Sequence, residues 1–537
     1  MGQCYPSFGI HSFDKELFAL SRTARFLKNT LSTAVYQMTA MVMGFITPRL
    51  MILYYGSEVN GLIVSVTEFL TYFKMVEAGL AAAAYVALYE PLARRDYPAI
   101  SGVVSAARRF YNTAGWLFLG ITLAFSALYP CFVPVVDQNG VLMSRLSVML
   151  LVLAMGVSGT LEFFTMSRFR VLLTADQRTY VVSLASMASL LLSTALLVVM
   201  PMLGMDVIVV RLAASLTILL RAFLLSRYVG RHYARVDLYA KPNRSALSKR
   251  WDALYVELTN VFQQGAGVIL GTAVTREPGV LSVYGVYHMV TVGLWGILKM
   301  ATTGIYSIFG NLLVSGDQRA FRRAFDDFEC LYHMAVSILF GVAAVLIVPF
   351  VNLYTHGIHD ANYNVPALGL LIIFEALTIH AKMPLDLMIS ASGKFREVRW
   401  HCVWQVGVTL TVGTLLGVLG LRFGAETSLC GIVLGVAAGN LARTACQLRF
   451  VPRQITGLSW RRSAWRMARM LLTVTVIAAP CLLLIDPPRR FFTWVMYAFL
   501  LLLYATAITL AVTWLTDRKT LKSLFARLGS LMERFSR

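Results

Sequence analysis

The chain has 537 residues, 58% of them hydrophobic and only 14% charged, with a mean hydropathy of +0.67. This composition excludes a soluble protein of two or three domains and requires a chain that lives in lipid. A formal charge of +21 would point to nucleic acid in a soluble protein, but basic loops retained on the cytoplasmic side of a membrane account for it with no nucleic-acid partner.

In chain order, residues 1–30 place Phe13, Leu17, Leu20, Ala24 and Leu27 at helical spacing among Lys15, Arg22, Arg25 and Lys28. That is the pattern of an amphipathic segment lying in the membrane interface. The first long apolar stretch begins near Leu31 and continues as a full span, so a cleaved signal peptide is not expected. Runs long enough to cross a bilayer, roughly 20 residues each, follow at 32–55, 60–90, 110–130, 146–173, 179–201 and 205–228. After a basic linker come 253–274, 281–313, 328–351, 365–391, 400–421, 427–449, 467–485 and 491–515. The expectation is an all-α polytopic membrane protein of about fourteen spans.

Lysine and arginine fix the expected orientation. One set of alternate loops carries Arg94, Arg95, Arg108, Arg109 and Arg178, the linker cluster from Arg227 to Arg250, then Arg319, Arg322, Arg323, Lys394, Arg396, Arg399, Arg453, Arg461 and Arg462. The other set is sparse, with Glu58, Asp137, Arg145, Asp206, Arg276, Asp360, Arg422 and Asp486 among its charges. This alternation requires both termini in the cytoplasm. The tail at 516–537 repeats the amphipathic device of the start, with Leu521, Leu524, Leu528, Leu531 and Phe535 on one face and Arg518, Lys519, Lys522, Arg527 and Arg534 outside it. It is expected to lie on anionic lipid of the inner leaflet.

A weak internal echo pairs Val59-Asn60-Gly61 with Val283-Tyr284-Gly285, and Leu173-Thr174-Ala175 with Ile389-Ser390-Ala391. It implies two six-helix lobes in parallel orientation, at 31–227 and 253–450, joined by the cytoplasmic linker 228–252 and followed by two further helices at 451–515.

Charged residues inside spans mark a polar interior, because each costs at least ~2.5 to 3.5 kcal/mol at the bilayer centre. The second span carries Glu68, Lys74 and Glu77. Lys74 and Glu77, three apart, either neutralise one another or leave Lys74 as a point-charge partner for a phosphate. On the eighth span His288, Val292, Trp295 and Lys299 share a stripe, and Lys299 is the stronger candidate for a ligand. The tenth span has Glu375, Thr378, Lys382 and Asp386 on one face, which either lines water or forms a buried ion-pair ladder. Glu257, Asn260 and Gln264 give the seventh span a polar face of the same kind. Arg49 follows Pro48 near the outer end of the first span, and either lines the cavity or snorkels. Glu162 sits mid-span, and for Arg168, Arg170, Arg211 and Arg221 snorkelling competes with a cavity role. The candidate substrate-binding set is therefore Arg49, Lys74, Lys299 and Lys382, with Glu77, Glu257, Glu375 and Asp386 as polar or coupling groups.

The seven cysteines have neither metal spacing nor a paired rhythm, and no phosphate-binding glycine loop or nucleophile elbow occurs. No metal, cofactor or enzymatic activity is expected. Energy would come from a proton or sodium ion, from the membrane potential, or from downstream consumption of product.

The patterns Gly56-Ser57-x-x-Asn60-Gly61, Glu77-x-Gly79-Leu80, Leu88-Tyr89-x-Pro91-Leu92-Ala93 and Ala175-Asp176-Gln177-Arg178-x-Tyr180-Val181 resemble the polysaccharide transporter branch of the MOP flippase superfamily, which includes the O-antigen and teichoic-acid repeat-unit flippases. The resemblance implies the MATE-like fold of two lobes and alternating access, with a polyprenyl-pyrophosphate-linked oligosaccharide as cargo. It also implies a place beside the polysaccharide polymerase and glycosyltransferases of a bacterial plasma membrane. A cation-coupled multidrug antiporter of the same fold is the alternative, and net cavity charge separates the two: basic for a flippase, acidic for a drug exporter. A membrane glycosyl-polymerising enzyme would be expected to carry a large outer loop with catalytic polar residues, and the longest outer loops here are short.

Cysteine labelling in intact cells tests the orientation. Single cysteines placed in the 228–252 linker should resist an impermeant reagent and react only after permeabilisation; labelling from outside would reverse the topology.

Overall fold

The computed structural model describes residues 10–75, 78–137, 140–237, 239–242, 251–302, 305–484, 490–524 and 526. Among them every regular element is helical, and the lone extended contact is an isolated antiparallel bridge between Val136 and Leu142. Lipid offers no hydrogen-bond partner for open backbone, so a spanning chain closes its N–H and C=O groups within helices. The protein is a multi-pass membrane protein.

In chain order the helices are α1 (Ile10–Tyr55), α2 (Ser57–Lys74), α3 (Ala78–Arg94), α4 (Tyr97–Phe132), α5 (Arg145–Thr165), α6 (Ser167–Ala175), α7 (Thr179–Met202), α8 (Val207–Leu216) and α9 (Ile218–His232). The second half has α10 (Trp251–Thr275), α11 (Pro278–Thr302), α12 (Ile305–Ser315), α13 (Gln318–Tyr354), α14 (Pro366–Ser392), α15 (Arg399–Gly420), α16 (Ala425–Val451), α17 (Trp460–Leu484) and α18 (Phe491–Thr516).

Twelve stretches of described helix are long and apolar enough to cross a membrane. The second and seventh of the fourteen expected spans are not among them, and their polar residues are the reason. α2 carries Glu58, Glu68 and Lys74 in 18 residues, and α10 carries Glu257, Asn260, Gln263 and Gln264. Several expected spans are also divided. The fourth breaks at Met166 into α5 and α6, and the sixth breaks at Thr217 into α8 and α9. The Thr217 hydroxyl bonds the Ala214 carbonyl at 2.7 Å and so satisfies an acceptor at the break. α1 runs unbroken from the amphipathic N-terminal stretch into the first span. α4 and α13 extend well past the apolar runs, so Arg108, Arg109, Arg319, Arg322 and Arg323 are helical rather than in loops. Asp317 caps α13 by accepting the N–H groups of Arg319 and Ala320. Glu77, the side chain of Arg168, the side chains of residues 10–26, linker residues 243–250 and tail residues 527–537 lie outside the described residues.

The chain divides into two compact units, one of Met1–Thr47, Phe73–Tyr129 and Arg145–Trp251, the other of Pro48–Tyr72, Pro130–Ser144 and Asp252–Arg537. In the first unit Tyr111, Phe118, Leu151 and Phe163 are buried, with Phe118 and Phe163 in ring contact at 5.5 Å. In the second, Tyr284, Tyr287, Phe321, Phe325, Phe340 and Leu385 anchor one continuous core. Gly61 of α2 lies so close to α11 that a Cβ there would overlap the Pro278 carbonyl. The tightest helix pair is α15 with α16. Gly431, Gly435 and Gly439 repeat every four residues, and a Cβ on any of them would strike the α15 backbone around Gln405, Gly413 or Leu416. Close backbone approach of this kind replaces the hydrophobic effect, which is absent between helices in lipid.

Replacing Gly435 by Val should therefore lower the thermal stability of the detergent-purified protein by at least about 1–3 kcal/mol. Gly407→Val, where a Cβ meets open space, should leave the melting temperature unchanged. Equal effects from the two would mean that the α15–α16 contact is not the tight one.

Candidate functional site

In the second unit the polar stripe of α14 faces α10, α15 and α16. Pro384 within α14 has no N–H to give the His380 carbonyl, so one rung of the helix is missing beside Lys382. Asp386 is the hub. Lys382 reaches it at 3.1 Å, Arg443 of α16 at 2.5 Å and Gln447 at 2.6 Å. Arg443 is 1% exposed, and its other terminal nitrogen donates to Asn260 at 2.8 Å and Gln405 at 2.9 Å. Gln405 in turn donates to Asn440 at 2.8 Å, and Asn440 donates to Glu375 at 3.4 Å. The open alternatives for this stripe are thus both partly realised. Lys382 and Asp386 are paired, and they also line a cavity of about 360 Å³ with Glu257, Asn260, Trp295 and Lys299. Lys299 is exposed and sits over the Trp295 ring at 5.1 Å. His288 of the same stripe stacks on Tyr284 at 5.2 Å and is not among the cavity residues.

In the first unit a second charged cluster forms around Glu162 of α5. Lys74 lies 3.1 Å away, Arg170 of α6 3.5 Å and Arg221 of α9 3.7 Å. Gly159, one turn earlier on α5, makes room for the lysine, since a Cβ there would meet Lys74 Cε at 2.8 Å. The break at Met166 re-aims the chain so that Arg170 returns toward Glu162, and Met166 N–H still bonds the Glu162 carbonyl at 3.1 Å.

Arg49 is placed elsewhere. Its guanidinium donates to the carbonyls of Tyr354 and His356 at the C-terminal end of α13, where four backbone acceptors lack helical partners and the helix dipole favours a cation. It does not join Lys299 and Lys382. Among the described residues no group of three His, Cys, Asp or Glu side chains could hold a metal ion.

No protein-family model and no curated protein matches the chain. Solved structures do. A multidrug resistance MATE transporter of the MOP superfamily, in an inward-facing conformation, superposes with a TM-score of 0.58 over 83% of this chain and 99% of its own, at 12% identity. The lipid II flippase MurJ, in an inward closed conformation, gives 0.57 over 90% and 98% at 11% identity. A MOP superfamily transporter from Pyrococcus furiosus, reported with reversed binding-pocket polarity, gives 0.53 over 83% and 96% at 12% identity. The chain has the MOP transporter fold. Identity this low carries the fold and nothing finer.

Several of those side chains are not evident as a group in the sequence. Arg443 reads there as one more arginine near a span end, yet Asn440, Arg443 and Gln447 repeat at three and four, the same polar periodicity as α14. That spacing was the available signal. Gln405 is a single polar residue in an apolar run, and only the tertiary contact with Arg443 and Asn440 gives it a role.

Because Lys382 and Arg443 share one carboxylate, their losses should not add. Lys382→Met or Arg443→Met alone leaves Asp386 with one cation. The double variant strands a buried charge, which costs about 3–5 kcal/mol. Thermal unfolding in detergent should show the double variant losing more than the sum of the singles; additive losses would contradict the shared clamp.

Proposed function

We propose that this chain is a flippase that moves a polyprenyl-pyrophosphate-linked oligosaccharide from the inner to the outer leaflet of a bacterial plasma membrane, with both termini cytoplasmic. One observation carries the reading: among the described residues three cations, Lys74, Arg170 and Arg221, converge on Glu162. Among the described residues positive charge outnumbers negative around Glu162, which suits a diphosphate and repels an organic cation. Guanidinium forks and an ammonium together can engage the oxygens of a diphosphate from several directions. Asp386 likewise already holds two cations, which makes it a poor acceptor for a cationic drug. Lys299 and Lys382 offer a second pair of positive groups on the wall of the α14 cavity. The prenyl tail would remain in lipid while the headgroup crosses by alternating access, driven by a proton, a sodium ion or the membrane potential. The MOP-fold likeness to a lipid II flippase agrees with the reading.

The antiporter reading rests on Glu375. This carboxylate is 7% exposed, and among the described residues it accepts from Asn440 and forms no ion pair. It is the group best suited to exchange a proton or sodium against a drug.

The experiment separates substrate contact from mere charge balance. Lys74→Ala should abolish surface polymer at unchanged protein abundance, and Lys74→Arg should keep part of it. The decisive variant is Lys74→Ala combined with Glu162→Gln. If Lys74 contacts the pyrophosphate, polymer stays absent. Recovery of polymer in the double variant would mean that Lys74 only neutralises Glu162, and export of a cationic dye dependent on Glu375 would favour the antiporter.

A further inference from the structure

α15 begins at Arg399 and α16 ends at Val451, followed by a π-helical turn at Pro452–Thr456. Between these two helix ends lies an open groove of about 490 Å³, lined by His401, Cys446, Arg449, Phe450, Arg453 and Gln454. The floor is apolar, with the His401 ring edge-on to Phe450 at 5.5 Å. The rim is basic. Arg449 and Arg453 are exposed and make no ion pair or hydrogen bond with any described residue. Lys394 is held beside them by donating to the Gln454 carbonyl at 2.7 Å. The buried Nδ1 of His401 also has no hydrogen-bond partner among the described residues.

Position decides what such a groove can hold. Both helices are membrane spans, and the groove sits at the end where each meets its basic flank. Exposed Trp400, Trp404 and Trp460 near those ends mark the level of the headgroups. Exposed Val403 and Leu441 continue the surface into the hydrocarbon region. A soluble phosphate would use the guanidinium groups and leave the apolar floor wet. A lipid uses both.

We propose that this groove binds an anionic phospholipid, its phosphate between Arg449 and Arg453 and the start of an acyl chain along Phe450 and the α15–α16 surface. Basic pockets between spans at the cytoplasmic side are suited to acidic headgroups, where each nearby Lys or Arg contributes about 1 kcal/mol. The bound headgroup steadies the end of α16, and α16 also carries Arg443 and Gln447, which clamp Asp386 from its other face. The site is separate from the pyrophosphate reading and does not depend on it.

Native mass spectrometry of the full-length protein, titrated with phosphatidylglycerol or phosphatidylcholine, tests the assignment. Phosphatidylglycerol should occupy one high-affinity site that phosphatidylcholine does not. Arg449→Ala with Arg453→Ala should weaken that site about 30-fold, two cations at about 1 kcal/mol each. Arg449→Gln with Arg453→Gln should do the same and serves where the alanine pair fails to fold. Arg319→Ala with Arg323→Ala, an exposed basic pair elsewhere, should leave it unchanged. Unaltered phosphatidylglycerol affinity in the glutamine pair overturns the proposal. So does displacement of the lipid by millimolar inorganic phosphate, which would make the groove a soluble-anion site.

Discussion

A charge inside a bilayer cannot be solvated by lipid, and that constraint organises this protein more than any apolar contact does. The clamp on Asp386 is its clearest product. One carboxylate is met by Lys382 from its own helix, Arg443 and Gln447 from α16, and, through Arg443, by Asn260 of α10 and Gln405 of α15. Four helices are thereby fixed by one group. Apolar packing alone would let them slide, since lipid tails are as good a neighbour as leucine. Polar groups that must find each other specify a register.

The same device recurs where α13, α17 and α18 meet. Arg466, 1% exposed, bonds Glu329 at 3.1 Å, Asp326 at 2.8 Å and Asp517 at 2.7 Å. Burial alone would raise the Asp517 carboxyl, just past the end of α18, but the Thr520 hydroxyl and the Arg466 guanidinium hold it below the usual carboxylate range. Leu521, three residues after the helix resumes, packs on Cys330 and Met334 of α13. α17 and α18 are thus tied to α13 by charge, and the start of the tail is tied to them.

Legibility followed the physics of each signal. Hydropathy located the apolar runs because a lipid-facing helix is apolar on most of its surface; of the two expected spans that fall short, α2 carries Glu58, Glu68 and Lys74, and α10 carries Glu257 and three amides. Helix breaks at Met166 and Thr217 were not legible, because neither residue is a strong breaker and the interruptions arise from packing. The stripe on α14 was legible as a stripe, but whether Lys382 faced water or Asp386 depended on Arg443, two helices away in sequence. Lys74 shows the same limit. Helical spacing offers Glu77, which lies outside the described residues, as its neighbour; the fold also brings Glu162 from α5, 88 residues on, to 3.1 Å. Arg49 could be read as a cavity residue only while the C-terminal carbonyls of α13 were out of view.

The distribution of charge also bears on how such a fold can move. The acid-centred clusters at Glu162 and Asp386 each lie within one compact unit, so each unit carries its own polar cement. One of the divisions between the units falls at Thr47–Pro48, inside α1. Pro48 lacks the N–H that would bond the Gly44 carbonyl. There the helical hydrogen-bond ladder is already interrupted. Bending there costs less than bending through an intact turn. Flexure is therefore easiest at Pro48, where no ion-pair cluster among the described residues is opened.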